Sequence, residues 1–134
     1  MKELLDKLKK LIYTLEAEKK SEFLICAMIL PGESYDKWDF ILSAPWLNSS
    51  ELESYKLISS KLQGSLTEAE LLQIARIVIL DPDDQVVKFL QTLVTVTNGG
   101  YKELRAEELT DKFKFIIKRA YLLRSIPESK KHQQ

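Results

Sequence analysis

The sequence predicts a single α+β domain with a mixed or largely antiparallel sheet of about five strands, packed by about four helices. Its 134 residues match the usual size of one domain. Hydrophobic residues make up 45% of the chain and charged residues 30%, as in globular proteins. Segments of helical periodicity alternate with short apolar runs, with Gly and Pro between them. We assign the domain to residues 1–126 and expect a disordered tail at 127–134.

The first 20 residues predict an amphipathic helix, because apolar side chains recur there at helical spacing between Lys and Glu. Its apolar stripe comprises Leu4, Leu5, Leu8, Leu11, Ile12 and Leu15. Residues 23–30 are apolar on both alternating faces and predict a strand covered on two sides. The segment KWDFILSAPWL predicts a second strand, antiparallel to the first because the short loop between them leaves no room for a crossover helix. One face of this strand carries Trp38, Phe40, Leu42 and Ala44, and the other carries Asp39, Ile41 and Ser43.

Two capping-box spacings predict helix starts, at Ser50 with Glu53 and at Thr67 with Glu70. The apolar stripe expected after the first comprises Leu52, Tyr55, Ile58, Ser59 and Leu62. The β-branched run RIVIL predicts another inner strand. The sequence DPDD that follows it predicts a helix with Asp81 as the N-cap.

The C-terminal part is predicted as a hairpin. Residues 95–104 hold Asn98, Gly99 and Gly100 between β-prone residues, which indicates a turn between two short extended pieces. Residues 113–126 fit both a helical and an alternating pattern. We favour a strand there, because Phe, Ile and Tyr dominate the segment and no capping residue precedes it.

The composition excludes several classes of site. The one histidine, His132, lies in the expected tail, so His-based triads and zinc sites that need histidine are not expected. The one cysteine, Cys26, lies in an apolar run and predicts a buried, reduced thiol. Glycine-rich phosphate loops and the nucleophile elbow are absent, and we predict no cofactor. No segment resembles an export signal or a bilayer span, so we expect a cytoplasmic protein with no membrane partner.

An acidic cluster is the first candidate site. Asp81, Asp83 and Asp84 follow a strand, where carboxylates often hold a hard cation. With Asp39 from the second strand, they would bind Mg or Mn in a hydrolase or nuclease that uses a metal-bound water in place of a histidine base. Capping of the following helix explains the same cluster without a metal.

The loop between the first two strands is the second candidate. A binding surface there would comprise Glu33, Tyr35, Asp36, Trp38 and Trp46. It would serve a partner or border a small-ligand pocket. Trp38 and Trp46 alternatively pack in the core, because their spacing places both on the apolar face, and Tyr35 is then the exposed ring.

Uneven charge is the third candidate. The 20 basic and 20 acidic residues cancel, which gives no support for nucleic acid as the main partner. The net charge is nevertheless +2 over residues 1–20, −6 over 21–101 and +4 over 102–134. A basic patch in the last segment would comprise Lys112, Lys114, Lys118, Arg119 and Arg124. It would bind phosphate, including that of nucleic acid, or an acidic partner, or form a solvated face.

The motifs KWDFILSAPWL and RIVILDPDD resemble a family of small prokaryotic proteins to which no activity is assigned. The resemblance covers most of residues 4–125 and supports the prediction of a strand within residues 113–126. It implies no catalytic role for any residue. We therefore expect a non-catalytic interaction or regulatory module, with a protein partner or a second copy bound through a sheet edge or through the first helix. The alternatives are the metal-dependent hydrolase or nuclease and a small-ligand-binding domain.

Overall fold

A five-stranded sheet forms the centre of the protein in a computed structural model, which describes residues 1–32, 37–97, 100–114 and 116–126. The strands are β1 (Ile25–Pro31), β2 (Trp38–Ser43), β3 (Ile74–Ile79), β4 (Lys102–Leu104) and β5 (Ile117–Ser125). Their order across the sheet is β3-β2-β1-β5-β4. The β2–β3 pair is parallel and the other three pairs are antiparallel.

Helices cover both faces of this sheet. They are α1 (Lys2–Lys19), α2 (Leu52–Ser65), α3 (Glu68–Leu71), α4 (Gln85–Leu93) and α5 (Ala106–Phe113). The apolar side chains of α1 and α2 pack on one face, and those of α4 and α5 pack on the other. The described residues thus hold five helices and a five-stranded mixed sheet in one body, which confirms the α+β prediction. Over the same residues, none of the helices is long and apolar enough to cross a membrane.

The first three elements follow the predicted patterns. All six residues of the α1 stripe are buried, and β1 is buried on both faces. Strand β2 alternates as predicted: Phe40 and Leu42 face α1 and α2, whereas Ile41 faces the layer of α4 and α5. Cys26 is buried as a free thiol.

One of the two predicted capping boxes forms. The Thr67 side chain accepts a hydrogen bond from the Glu70 N–H, and the Glu70 carboxylate accepts from the Thr67 N–H. The predicted box at Ser50 is wrong, because α2 begins after Glu51 without a side-chain cap and the Ser50 hydroxyl donates to Asn48. Of the predicted stripe, Ile58 and Leu62 are buried and Tyr55 and Ser59 are half-buried. Leu52 is instead 66% exposed, and Ser54 is buried.

Strand β3 is an edge strand, which corrects the prediction of an inner strand. Helices α2 and α3 connect it to β2, and a connection of that length permits parallel pairing. The N-cap of α4 is Asp84, whose side chain accepts from the Val86 N–H at 2.8 Å, and not the predicted Asp81.

The C-terminal part differs from a simple hairpin. Helix α5 was not predicted; it contains Phe113 and has Glu107 and Glu108 in its first turn. The strand preferred for residues 113–126 forms over Ile117–Ser125. Both short extended pieces pair with it, β4 through a ladder and Val96 through a single bridge to Ser125. The turn residues Asn98 and Gly99 and the tail at 127–134 lie outside the described residues.

We predict that Thr67→Ala lowers the free energy of unfolding by about 1 kcal/mol, because it leaves a backbone N–H of the first turn of α3 without its acceptor. Ser50→Ala is the matched control from the same sequence pattern. It is expected to change stability by at most about 0.5 kcal/mol, since the exposed Ser50 hydroxyl caps no helix. Urea denaturation of both variants measures the difference, and equal losses would contradict the assignment of the caps.

Candidate functional site

Asp39 is paired with Arg76 rather than open to a cation. Two hydrogen bonds of 3.1 Å and 2.6 Å join the Arg76 guanidinium to the two oxygens of the Asp39 carboxylate. The Asp39 side chain is 5% exposed and that of Arg76 is 66% exposed, so the pair lies at the border of the core. The hydrogen bonds and charge of Asp39 raise the pKa of Arg76 above its ordinary value. Asp39 is therefore an anchor for β3.

The acidic cluster lies away from Asp39. Asp39 is in register with Arg76, and Asp81 lies five residues after Arg76, two residues beyond the end of β3. Five residues of extended backbone correspond to about 16 Å. Asp81 accepts from the Ser49 hydroxyl at 2.9 Å and Asp84 caps α4, while Asp83 is exposed. Within the described residues, no three His, Cys, Asp or Glu side chains gather in a group that could hold a metal ion. The structure thus does not bring the four predicted ligands together.

The two tryptophans of the second candidate surface pack inward. Trp38 is 2% exposed and its ring lies 5.7 Å from that of Tyr121. Trp46 is half-buried, with its ring edge-on to Phe23 at 4.9 Å. Glu33, Tyr35 and Asp36, the other members of this surface, lie outside the described residues. Trp38 is thus a core residue and does not reach a ligand pocket from the surface.

Arg124 is buried and does not belong to the predicted basic patch. The side chain of Arg124 is 4% exposed and reaches the α1 face of the sheet, because a register shift opposite Cys26 and Ala27 interrupts the alternation of β5. Arg119 pairs with Glu103 at 3.3 Å and contacts the Tyr121 hydroxyl, and the Lys112 ammonium lies over the Phe89 ring. Lys114 ends α5 in the left-handed conformation, and Lys118 is exposed on β5. Sequence reasoning assigned Arg124 to a surface patch because the sequence does not reveal this bulge.

A buried ion pair instead joins the first helix to the last strand. The Glu16 carboxylate accepts from Arg124 at 3.0 Å and 2.5 Å, and also from the Phe23 N–H at 2.8 Å. Cys26 lies beside Arg124 in the sheet register. Burial, and to a lesser degree the Glu16 carboxylate, raise the pKa of the Cys26 thiol well above its ordinary value of 9.0, and Arg124 offsets part of the rise. Glu16, Arg124 and Cys26 thus lie in the packed interior and do not form a surface site.

The open edge of β3 is the strongest candidate site. In the part of the chain that the structure describes, β3 pairs with β2 on one side and with no strand on the other. The Leu80 N–H donates to the Leu42 carbonyl at 2.9 Å, toward β2, so the alternation of a strand directs the peptide groups of Ile77 and Ile79 outward. Sheet edges are usually protected by Pro, several charges or a very short strand. This edge is six residues long, without Pro, and its one charge, on Arg76, is neutralised by Asp39.

A groove runs beside this edge, between β3 and α2. It has a volume of about 260 Å³. Its apolar lining comprises Leu62, Leu71, Ile74 and Ile77, and its other lining residues are Ser59, Gln63, Ala75 and Arg76. Leu72, just before β3, is 64% exposed and extends the apolar surface. The edge supplies backbone hydrogen-bonding groups and the groove accepts apolar side chains, which together suit an added strand.

Sequence reasoning found the residues of this site but not their position. The run RIVIL was correctly assigned to a strand, yet nothing in its composition distinguishes an edge from an inner position. The connection from β2 signals only the parallel pairing of the two strands, because about 30 residues with two helices fit a parallel crossover better than a hairpin. The edge position follows from the order of all five strands.

Comparisons of the chain with protein-family models, with curated proteins and with solved structures found no match. The likeness of its motifs to a prokaryotic family therefore stays a prediction, and the site is interpreted from its geometry.

We predict that Glu16→Leu and Arg124→Met each lower the free energy of unfolding by about 3–5 kcal/mol, because each leaves the partner buried without its counter-charge. The double variant is expected to lose less than the sum of the two, since it leaves no unpaired buried charge. A double-mutant cycle in urea measures this coupling. Additive losses would show that the two side chains do not act as a pair.

Proposed function

We propose that this protein is a non-catalytic interaction module that forms a homodimer by pairing the β3 edges of two copies. The observation that carries the proposal is the unprotected edge of β3. A long, apolar and nearly uncharged edge is a template for pairing with another strand, and proteins that stay monomeric usually block such edges.

A second copy fits this edge by symmetry. A two-fold axis perpendicular to the sheet places the two β3 strands antiparallel and keeps the α1 and α2 layers of both copies on the same side. The α2 side of β3 carries Ile77 and Ile79, which belong to the same apolar layer as Leu62. Each copy therefore offers an apolar strand to the apolar residues that line part of the groove on the other copy.

Charge supports the same pairing. Arg76 is the one ionic residue of β3, and Asp39 neutralises it within each copy. Two β3 edges thus approach each other without net repulsion, and β-branched residues such as Ile77 and Val78 favour the extended pairing. The first helix, the other surface expected to dimerise, has its leucine stripe buried against its own sheet.

We expect Ala75→Lys to weaken self-association by about tenfold or more, because a lysine on the edge would place a charge against the added strand. Ala75 is exposed, so the substitution leaves the core of the monomer intact. Ala17→Lys, an identical change at an exposed position of α1, is the matched control and should dimerise like the unaltered chain. Sedimentation equilibrium over a range of micromolar concentrations measures both.

The salt dependence of self-association distinguishes this apolar interface from an electrostatic one. Association through the apolar β3 edge should change little between low and high salt, whereas association between the basic and acidic segments would weaken strongly. A chain that remains monomeric at all concentrations, or an Ala75→Lys variant that dimerises as tightly as the control, would overturn the proposal.

A further inference from the structure

A second concave site lies between α1 and α2, away from the β3 edge. It is an open cleft of about 680 Å³, within the range of pockets that hold small ligands. From α1 it is lined by Lys7, Lys10, Leu11 and Thr14, and from α2 by Ser60, Lys61, Gly64 and Ser65. The lining thus contains three ammonium groups, the hydroxyl groups of Ser60 and Ser65 and no carboxylate, a donor set suited to an oxyanion. The hydroxyl of Thr14 donates to the Lys10 carbonyl at 3.0 Å, within α1.

Two of the three lysines are held by glutamates outside the lining. Lys7 donates to Glu70 at 2.8 Å, and Lys61 donates to Glu18 at 2.6 Å. The hydrogen bond from Lys7, and next that from the Thr67 backbone, lower the pKa of Glu70. Lys10 makes no ion pair within the described residues. The two glutamates balance the charges of Lys7 and Lys61, so Lys10 leaves the cleft with one unbalanced positive charge. The C-terminal carbonyls of α2 offset only about half of a charge.

Gly64 keeps the α2 wall of the cleft open. A Cβ atom added at Gly64 would meet no atom within 4 Å, so no packing contact requires glycine there. Glycine in a helix costs stability relative to alanine, and it allows a ligand to approach the backbone closely. The unfilled space at Gly64 opens into the cleft that carries the three lysines.

We infer that this cleft binds the phosphate group of a small organic phosphate, with Lys10 as the main anchor and with Lys7, Lys61 and the hydroxyl groups as further donors. The charge excess at Lys10 selects an anion, and the hydroxyl donors of Ser60 and Ser65 match phosphate oxygens that an ammonium group alone does not saturate. Leu11 is the one apolar residue of the lining, so the remainder of the ligand is small and polar. This site is independent of the proposed dimer.

Amide chemical shifts in nuclear magnetic resonance test the inference on the full chain, with glycerol 3-phosphate and inorganic phosphate as probes at constant ionic strength. We expect saturable shifts at Gly64, Ser65 and the facing residues of α1. Tighter binding of glycerol 3-phosphate than of inorganic phosphate would identify an ester, and the reverse order would indicate that free phosphate is the ligand. Shifts that are absent, or that spread over all lysine-bearing surfaces, would overturn the site.

Substitutions distinguish a built site from general attraction to lysine. Lys10→Gln should weaken binding about tenfold, whereas Lys56→Gln, an exposed lysine of the same α2 helix outside the cleft, should leave it unchanged. Gly64→Gln should place a side chain in the cleft and weaken binding while the melting temperature stays equal or rises. Equal effects of Lys10→Gln and Lys56→Gln, or full binding by Gly64→Gln, would contradict the inference.

Discussion

The burial of β1 on both faces is the constraint on which the rest of the structure depends. Six of its seven residues are buried, and β1 pairs with β2 on one side and β5 on the other. A strand without a polar face needs an apolar layer above and below it. The α1–α2 layer and the α4–α5 layer meet this need, so the hydrophobic run of β1 determines the three-layer arrangement. The sheet edges are then left to the flanking strands, and β3 becomes the longer of the two outer strands.

The Glu16–Arg124 pair fixes how the first helix lies on this sheet. The two residues are 108 positions apart in the chain, and Glu16 also accepts from the Phe23 N–H, which leads into β1. A buried ion pair contributes less to net stability than its geometry suggests, because both charges lose their hydration. Its directional hydrogen bonds nevertheless favour one position of α1, since any other position would leave Arg124 buried and unpaired. We therefore assign it a role in the specificity of packing.

The sequence predicted a structural feature correctly where a local residue pattern determines it. It did not do so where the feature depends on contacts with residues distant in the chain. The stripe of α1 and the alternation of β2 reflect direct burial, and both were predicted. Ser50 and Thr67 have the same capping pattern, yet Ser50 bonds to Asn48 instead. Helix α5 was missed because its N-cap, Arg105, makes no side-chain cap and gives no start signal. Of the candidate sites, the residues of β3 were assigned to a strand, but their edge position and the bulge that turns Arg124 inward depend on strand pairing across the sheet.

Ion pairs within the fold use part of the uneven charge of the chain. Lys7 of the first segment pairs with Glu70 of the middle one, and Arg124 of the last segment pairs with Glu16 of the first. Each such pair removes a charge that would otherwise act between molecules, because the field of a close ion pair decays faster than that of a single charge. Within the described residues, the backbone groups along the outer edge of β3 have no strand partner, so their hydrogen-bonding requirement is met by water or by another strand.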